Sequence, residues 1–177
     1  MRNFIILVDD NDKVVGKEDK LLTHKNGLQH RAFSVLIIND KNQMLIHKRN
    51  SAKYHSGSLW TNACCSHPVH EEDLIEAAHR RLKEEMGFNC PLKEVFSFKY
   101  YYKFDNGLVE NEYDHVFVGL YNSNLVHPDP TEVESYKWID YDLLLEDVEN
   151  NNEEYTVWFK KIIKRLVQDK IDIFEVF

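Results

Sequence analysis

Cysteine is scarce in this 177-residue chain, with three in all, and two of them, Cys64 and Cys65, are neighbours. Vicinal cysteines are poorly placed to bridge and Cys90 is left without a partner, so a disulfide framework is excluded and the thiols are expected to be reduced, as in a cytosolic enzyme. Long apolar runs are missing as well. The stretch FIILV, Phe4 to Val8, is followed at once by Asp9 and Asp10, too short for a membrane span or for the core of a signal peptide, and a cytoplasmic location is expected. Positive charge is also in deficit: 30 acidic residues face 22 Lys and Arg, a net charge of -8. That balance argues against non-specific binding to nucleic acid or to a membrane surface, both of which need a surplus of Lys and Arg. An anionic ligand would have to be met by a local basic cluster. Repeats, linkers and low-complexity tracts are lacking too, and the length suits one well-buried domain, residues 1–177.

What is present begins with strand signals: FIILVDD, then HRAFSVLIIN and QMLIHKR, the last two separated by the turn-like NDKNQ and predicted to form a hairpin. A loop rich in Ser, Gly and aromatics, Asn50 to Asn62, leads into WTNACCSHPVHEEDL. In the next segment Leu74, Ile75, Ala78, Leu82 and Met86 recur at helical spacing, and Gly87 fits a left-handed stop. Acidic residues are expected to fill this helix's first turn, with Glu76–Arg80, Arg80–Glu84 and Arg81–Glu85 pairing across one turn. VFSFKYYYKF and LVENEYDHVFVGLY, joined by a turn at Asp105 to Gly107, predict two further strands, SYKWID another, and EEYTVWFKKIIKRLVQD a closing amphipathic helix. Strands, a helix, more strands and a final helix indicate an α+β sandwich of mixed sheets flanked by helices.

The stretch from Trp60 to Leu74 holds two cysteines, two histidines and a proline, compatible with structural zinc, a catalytic thiol or a buried turn. Glu110 and Glu112 lie two apart on a predicted strand, so both carboxylates leave the same face. With His24, His30 and His67 they make a candidate ligand set of three imidazoles and two carboxylates. That set suits a five- or six-coordinate divalent ion such as manganese, zinc or iron rather than the sulfur-rich tetrahedron of structural zinc. A scattered histidine is more often a surface or capped residue, and Glu-x-Glu on a strand is usually its solvated face.

The succession HRAFSVLI, LWTNACCSHP, RRLKEEMGF and GLVENE, in this order and spacing, resembles the type 1 isopentenyl-diphosphate delta-isomerases, a branch of the Nudix fold. The likeness runs from about Val14 to Trp158. The helix resembles a degraded Nudix box, G-x5-E-x7-R-E-U-x-E-E-x-G-U, with Glu72, Arg80, Leu82, Glu84, Glu85, Gly87 and Phe88 in register. Ser66 stands in place of the glycine and Arg81 in place of the first glutamate after the arginine. Losing that carboxylate lowers the metal charge the helix can hold, which argues against hydrolysis and leaves room for a diphosphate bound through one Mg²⁺.

The resemblance implies a tight divalent ion, Mn²⁺ or Zn²⁺, on His24, His30, His67, Glu110 and Glu112. A Mg²⁺ would arrive with the substrate and be held by Glu85 and the backbone carbonyl of Cys65. Diphosphate contacts would come from Lys20, Arg49, Lys53 and Arg81. The implied reaction interconverts isopentenyl and dimethylallyl diphosphate through a tertiary cation, in isoprenoid biosynthesis. Glu112 with Tyr100 would protonate the alkene and Cys65 remove a proton, with the reverse polarity open. Trp158 would face the cation, worth about 2 kcal/mol if desolvated, or roughly thirtyfold in rate; packing of the last helix is the alternative. The expected partner is a small prenyl diphosphate, the expected state a monomer or weak dimer. Two rivals remain, a Nudix pyrophosphohydrolase and a non-catalytic metal-binding module.

Overall fold

The computed structural model describes residues 4–177; Met1 to Asn3, part of the single domain expected over the whole chain, lie outside the described residues. The chain opens with a hairpin of β1 (Phe4–Val8) and β2 (Val14–Asp19). Asp19 then caps a helix, its carboxylate accepting from the backbone N–H of Leu21 and Leu22, and α1 (Lys20–Asn26) ends at Gly27 with φ 63°. At seven residues α1 is too short to show a hydrophobic period.

Next come β3 (His30–Ile38) and β4 (Gln43–Arg49). Their expected hairpin exists only beside the turn, where Ile37 pairs with Leu45 and Ile38 with Met44. Beyond that point the strands part. Along its whole length β3 runs parallel to β8 (Val109–Leu120), and on its other edge it pairs with β6 (Cys64–Ser66). β4 turns instead to β5 (Trp60–Asn62) and β9 (Val133–Asp140). β7 (Leu92–Lys103) closes the far side against β8.

Burial on both faces explains why β3 is apolar without alternation. Phe33, Val35 and Ile37 pack with Leu45, Cys64, Ala78, Leu82 and Met86 under α2 (Leu74–Met86). Leu36 and Ile38 pack with Val116 and Val118 under α3 (Tyr141–Asn150) and α4 (Val157–Gln168), which contribute Leu144, Phe159, Ile162 and Leu166. Each of the buried Val, Leu, Ile, Phe and Met side chains among them is worth about 1.5–3 kcal/mol. The result is the α+β architecture expected, built among the described residues on one nine-stranded mixed sheet rather than several, with β2, α1, β5, β6 and α3 added to the elements predicted. α3 was not foreseen, although Asp140 caps it and Leu144 and Val148 line its buried side. The closing helix starts at Val157, because Asn152–Glu154 form a separate 3₁₀ turn.

Helix α2 also differs in detail. Asp73 is its cap, so Glu71 and Glu72 precede it and Glu76 is the acidic residue of its first turn. Arg80 does not pair with Glu76 among the described residues. It reaches back to Glu72, with Nε donating to Oε1 at 2.6 Å and Nη2 to Oε2 at 2.8 Å, and to Glu84 at 3.3 Å. This two-pronged contact fastens the Cys-Cys-Ser-His-Pro loop to the helix. Gly87 ends the helix at φ 78°, and a β-carbon there would lie 2.3 Å from the carbonyl oxygen of His127, so only glycine fits.

Candidate active site

Five buried side chains from four places in the chain converge beside β3: His24 from α1, His30 from the start of β3, His67 just after β6, and Glu110 and Glu112 from β8. One ligand atom from each lies within 4.8 Å of all the others. Parallel pairing sets His30 directly across from Glu112. The two glutamates are 3% and 7% exposed, so this Glu-x-Glu is no solvated face.

Hydrogen bonds decide which ring atoms point inward. His24 Nδ1 donates to the Lys20 carbonyl at 2.6 Å and His30 Nδ1 to the Leu28 carbonyl at 2.8 Å. With Nδ1 donating to a carbonyl, each ring turns its Nε2 toward the centre. His24 Nε2 lies 3.3 Å from Glu110 Oε2, at an angle that makes no hydrogen bond, and both atoms are buried without a partner among the described residues. His67 Nε2 lies 2.9 Å from Glu112 Oε1 and 3.2 Å from His30 Nε2. Each carboxylate is approached from outside at one oxygen: Tyr100 Oη donates to Glu112 Oε2 at 2.6 Å, and His55 Nε2 lies 2.9 Å from Glu110 Oε1. Three imidazole Nε2 atoms and two buried carboxyl groups converging on one point fit a divalent cation, which would supply the positive charge that the carboxylates lack.

The same cavity takes in Cys65, Tyr100, Trp158, Lys20, Arg49, Lys53, Arg81 and Glu85, together with Ser34, His47, Tyr54, His55 and Glu132. Of the side chains expected at the site, all but His24 and His30 line this one cleft. Cys65 sits opposite Ser34 across β3, on the edge away from β8. Alternation along β6 sends Cys64 into the core beneath α2, fully buried, while Cys65 faces the cleft. Burial pushes the Cys65 thiol well up, with Glu85, Glu112 and Asp114 adding and Arg49 opposing. It is a neutral thiol at pH 7. Burial would raise Glu112 too, but its hydrogen bonds with His30 and His67 hold it well below the usual carboxylate range.

The four cations are differently engaged. Arg81 donates to Glu84 at 2.7 Å and Glu85 at 2.6 Å and stands 3.5 Å from Glu132, which also pairs with Lys53. Lys20 and Arg49 form no ion pair with a carboxylate among the described residues. The Lys20 ammonium is lowered by burial, with Glu110 opposing, and lies 5.8 Å from the Tyr54 ring centre. Arg49 lies 5.1 Å over the Trp158 ring, so that π face already holds a cation. His47 behind Arg49 is held down at about 3 by burial and by the neighbouring guanidinium. His55, Glu132, Ser34 and Asp114, whose carboxyl accepts from Ser34 Oγ at 2.9 Å, were not foreseen. None sits in a spacing that local sequence could relate to the cluster.

Comparison with known proteins bears on this site directly. Residues 28–159 match the NUDIX domain family. An isopentenyl-diphosphate Delta-isomerase of Photorhabdus laumondii is 46% identical over 173 residues, covering 97% of each chain. One of Aromatoleum aromaticum is 42% identical over 94% of this chain and 88% of its own. The chain belongs to the Nudix isopentenyl-diphosphate Delta-isomerases. A crystal structure from Deinococcus radiodurans superposes with a TM-score of 0.74 at 17% identity, over 92% of this chain and 98% of its own, a likeness of fold alone. In this isomerase chain the Nudix helix is α2, and Arg81, in place of a glutamate, spends its guanidinium on Glu84 and Glu85. Among the described residues no helix is long and apolar enough to cross a membrane.

Proposed function

We propose that this chain, one domain over residues 1–177 and acting in the cytoplasm as a monomer or weak dimer, shifts the double bond between isopentenyl and dimethylallyl diphosphate. Neither nucleic acid nor a membrane takes part. The observation that carries the reading is the placement of two proton-transfer groups on opposite edges of β3 in one cleft: the Cys65 thiol on β6, and Glu112 with its Tyr100 hydrogen bond on β8. A double-bond shift adds a proton at one carbon and removes another from the carbon two bonds away, so two such groups on different walls are what the chemistry needs.

His24, His30, His67, Glu110 and Glu112 would hold a divalent ion, Mn²⁺ or Zn²⁺, that acidifies the Glu112 carboxyl; Glu85 and the Cys65 carbonyl would hold Mg²⁺ to offset diphosphate charge. Lys20, Arg49, Lys53 and Arg81 bind the diphosphate, for which Lys53 and Arg81 must loosen their hold on Glu132. In the forward direction Glu112, relayed by Tyr100, donates to the terminal alkene carbon and Cys65 accepts from the far carbon. The close of that turnover leaves Cys65 as thiol and Glu112 as carboxylate. These are the forms the cleft favours without substrate, so they match the state that meets dimethylallyl diphosphate. One proton passing from Cys65 to Glu112 resets the forward reaction. Trp158 shields the tertiary cation, and since Arg49 already occupies its ring, its electrostatic contribution is shared between two cations.

Incubation with isopentenyl diphosphate and Mg²⁺ tests the proposal. An allylic diphosphate is the expected product. Released phosphate would point to a Nudix pyrophosphohydrolase, and an unchanged substrate to a non-catalytic metal-binding module.

A further inference from the structure

Glu110 is gripped by a residue that no recognised motif includes. His55 lies in the loop between β4 and β5 and is 8% exposed. Its Nδ1 is 3.2 Å from Ser56 Oγ and its Nε2 is 2.9 Å from Glu110 Oε1. In the tautomer whose Nδ1 accepts from the Ser56 hydroxyl, the ring proton sits on Nε2, 2.9 Å from the carboxylate oxygen. Aromatic neighbours hold the ring plane. Phe104 stacks on it at 4.4 Å and 18°, Tyr54 meets it edge-on at 4.6 Å, and Trp158 edge-on at 5.9 Å.

We propose that His55 is a positioning residue of the metal centre, setting Glu110 as a one-oxygen ligand and latching the Lys53 loop to that centre. The inference rests on the metal-site reading above. With Oε1 occupied by His55, the oxygen left to Glu110 is Oε2, already 3.3 Å from His24 Nε2 and without a hydrogen bond. Without the latch, the carboxylate is free to rotate and the ion loses a pre-oriented ligand. Outer hydrogen bonds of this kind are worth about 10–100-fold in metal affinity. Because Lys53 and His55 are two residues apart on one loop, the same contact places a diphosphate-binding cation.

The test uses the full chain, with Mn²⁺ and Zn²⁺ competed against chelators of graded strength. His55→Phe keeps an aromatic ring in the Phe104–Tyr54–Trp158 packing and removes the donor; His55→Gln keeps a donor. The expected order of affinity is wild type, then His55→Gln, then His55→Phe weaker than wild type by about 10–100-fold, with metal-free thermal midpoints of wild type and His55→Phe close together. KM for isopentenyl diphosphate should rise in His55→Phe even when metal is saturating. His55→Leu supplies the same donor-free comparison if the Phe variant does not fold. Wild-type affinity in the donor-free variant overturns the role of His55 while leaving the metal site standing. A wild-type protein that retains neither ion overturns the metal reading and this inference together.

Discussion

His30 and His67 face each other with their Nε2 atoms 3.2 Å apart, and Glu112 Oε1 lies 2.9 Å from the second of them. Two imidazole nitrogens at that separation share at most one proton, and burial already pushes the His67 imidazole well below its ordinary value. Such a pair is costly as a free-standing feature and natural around a cation. Protein purified without chelator should therefore carry about one equivalent of a divalent ion, and His67→Ala and Glu110→Gln should each lose most of it. Elemental analysis decides, and undiminished metal in both variants refutes the site. Loss of the ion should also lower the thermal midpoint, since it joins α1, β3, β8 and the loop after β6.

The proposed reaction has a second ion enter with the substrate. Of the four cations in the cleft, Lys53 and Arg81 are already engaged by Glu84, Glu85 and Glu132, so its positive charge is partly spent before a diphosphate arrives. Activity should rise with added Mg²⁺, and Glu85→Gln should raise the Mg²⁺ needed for half-maximal rate or abolish turnover. Full activity in EDTA, with the tight ion still bound, contradicts this.

The adjacent cysteines are expected to be unequal. Cys65→Ala should cut the isomerisation rate by about 10²–10⁴-fold and keep the tight metal, as for a proton-transfer group without a substitute. Cys64→Ala removes one buried atom from the core under α2 and should cost about 1 kcal/mol of stability with most activity retained. Parallel rate and metal measurements on both variants check it; equal losses refute the assignment.

Buried His47 gives the fold an acid-sensitive element away from the metal ligands. Its folded-state value of about 3 lies below its unfolded value of 6.5. The unfolded chain therefore takes up the proton first. The stabilisation is present in full above pH 6.5 and is lost as pH falls from there toward 3, at up to about 1.4 kcal/mol per pH unit. Urea unfolding of wild type and His47→Gln at pH 7 and pH 5 measures it. The variant should show the smaller drop, and equal drops would exclude His47 as the source.

Several features of the molecule are local and could be seen in the order of residues alone. Period two on β8 puts Glu110 and Glu112 on one face; period 3.6 and Gly87 define α2; alternation makes Cys64 and Cys65 face opposite ways. Each depends only on backbone geometry over a few residues. Charge balance likewise required a basic cluster for any anionic ligand. The family resemblance then supplied the side chains expected at the cleft. What tertiary structure alone decided is which distant segments meet. HRAFSVLI and QMLIHKR look like an ordinary hairpin, yet β3 parts from β4 after two pairs to take β8 in parallel. Parallel pairing has no local sequence signal, because its partners are joined by a long crossover, and it is this pairing that sets His30 against Glu112. The same holds for His55 on Glu110, Glu132 between Lys53 and Arg81, and Arg49 over Trp158. A charged or aromatic residue in a loop has no period, and its partner is chosen by where the packed sheet carries it.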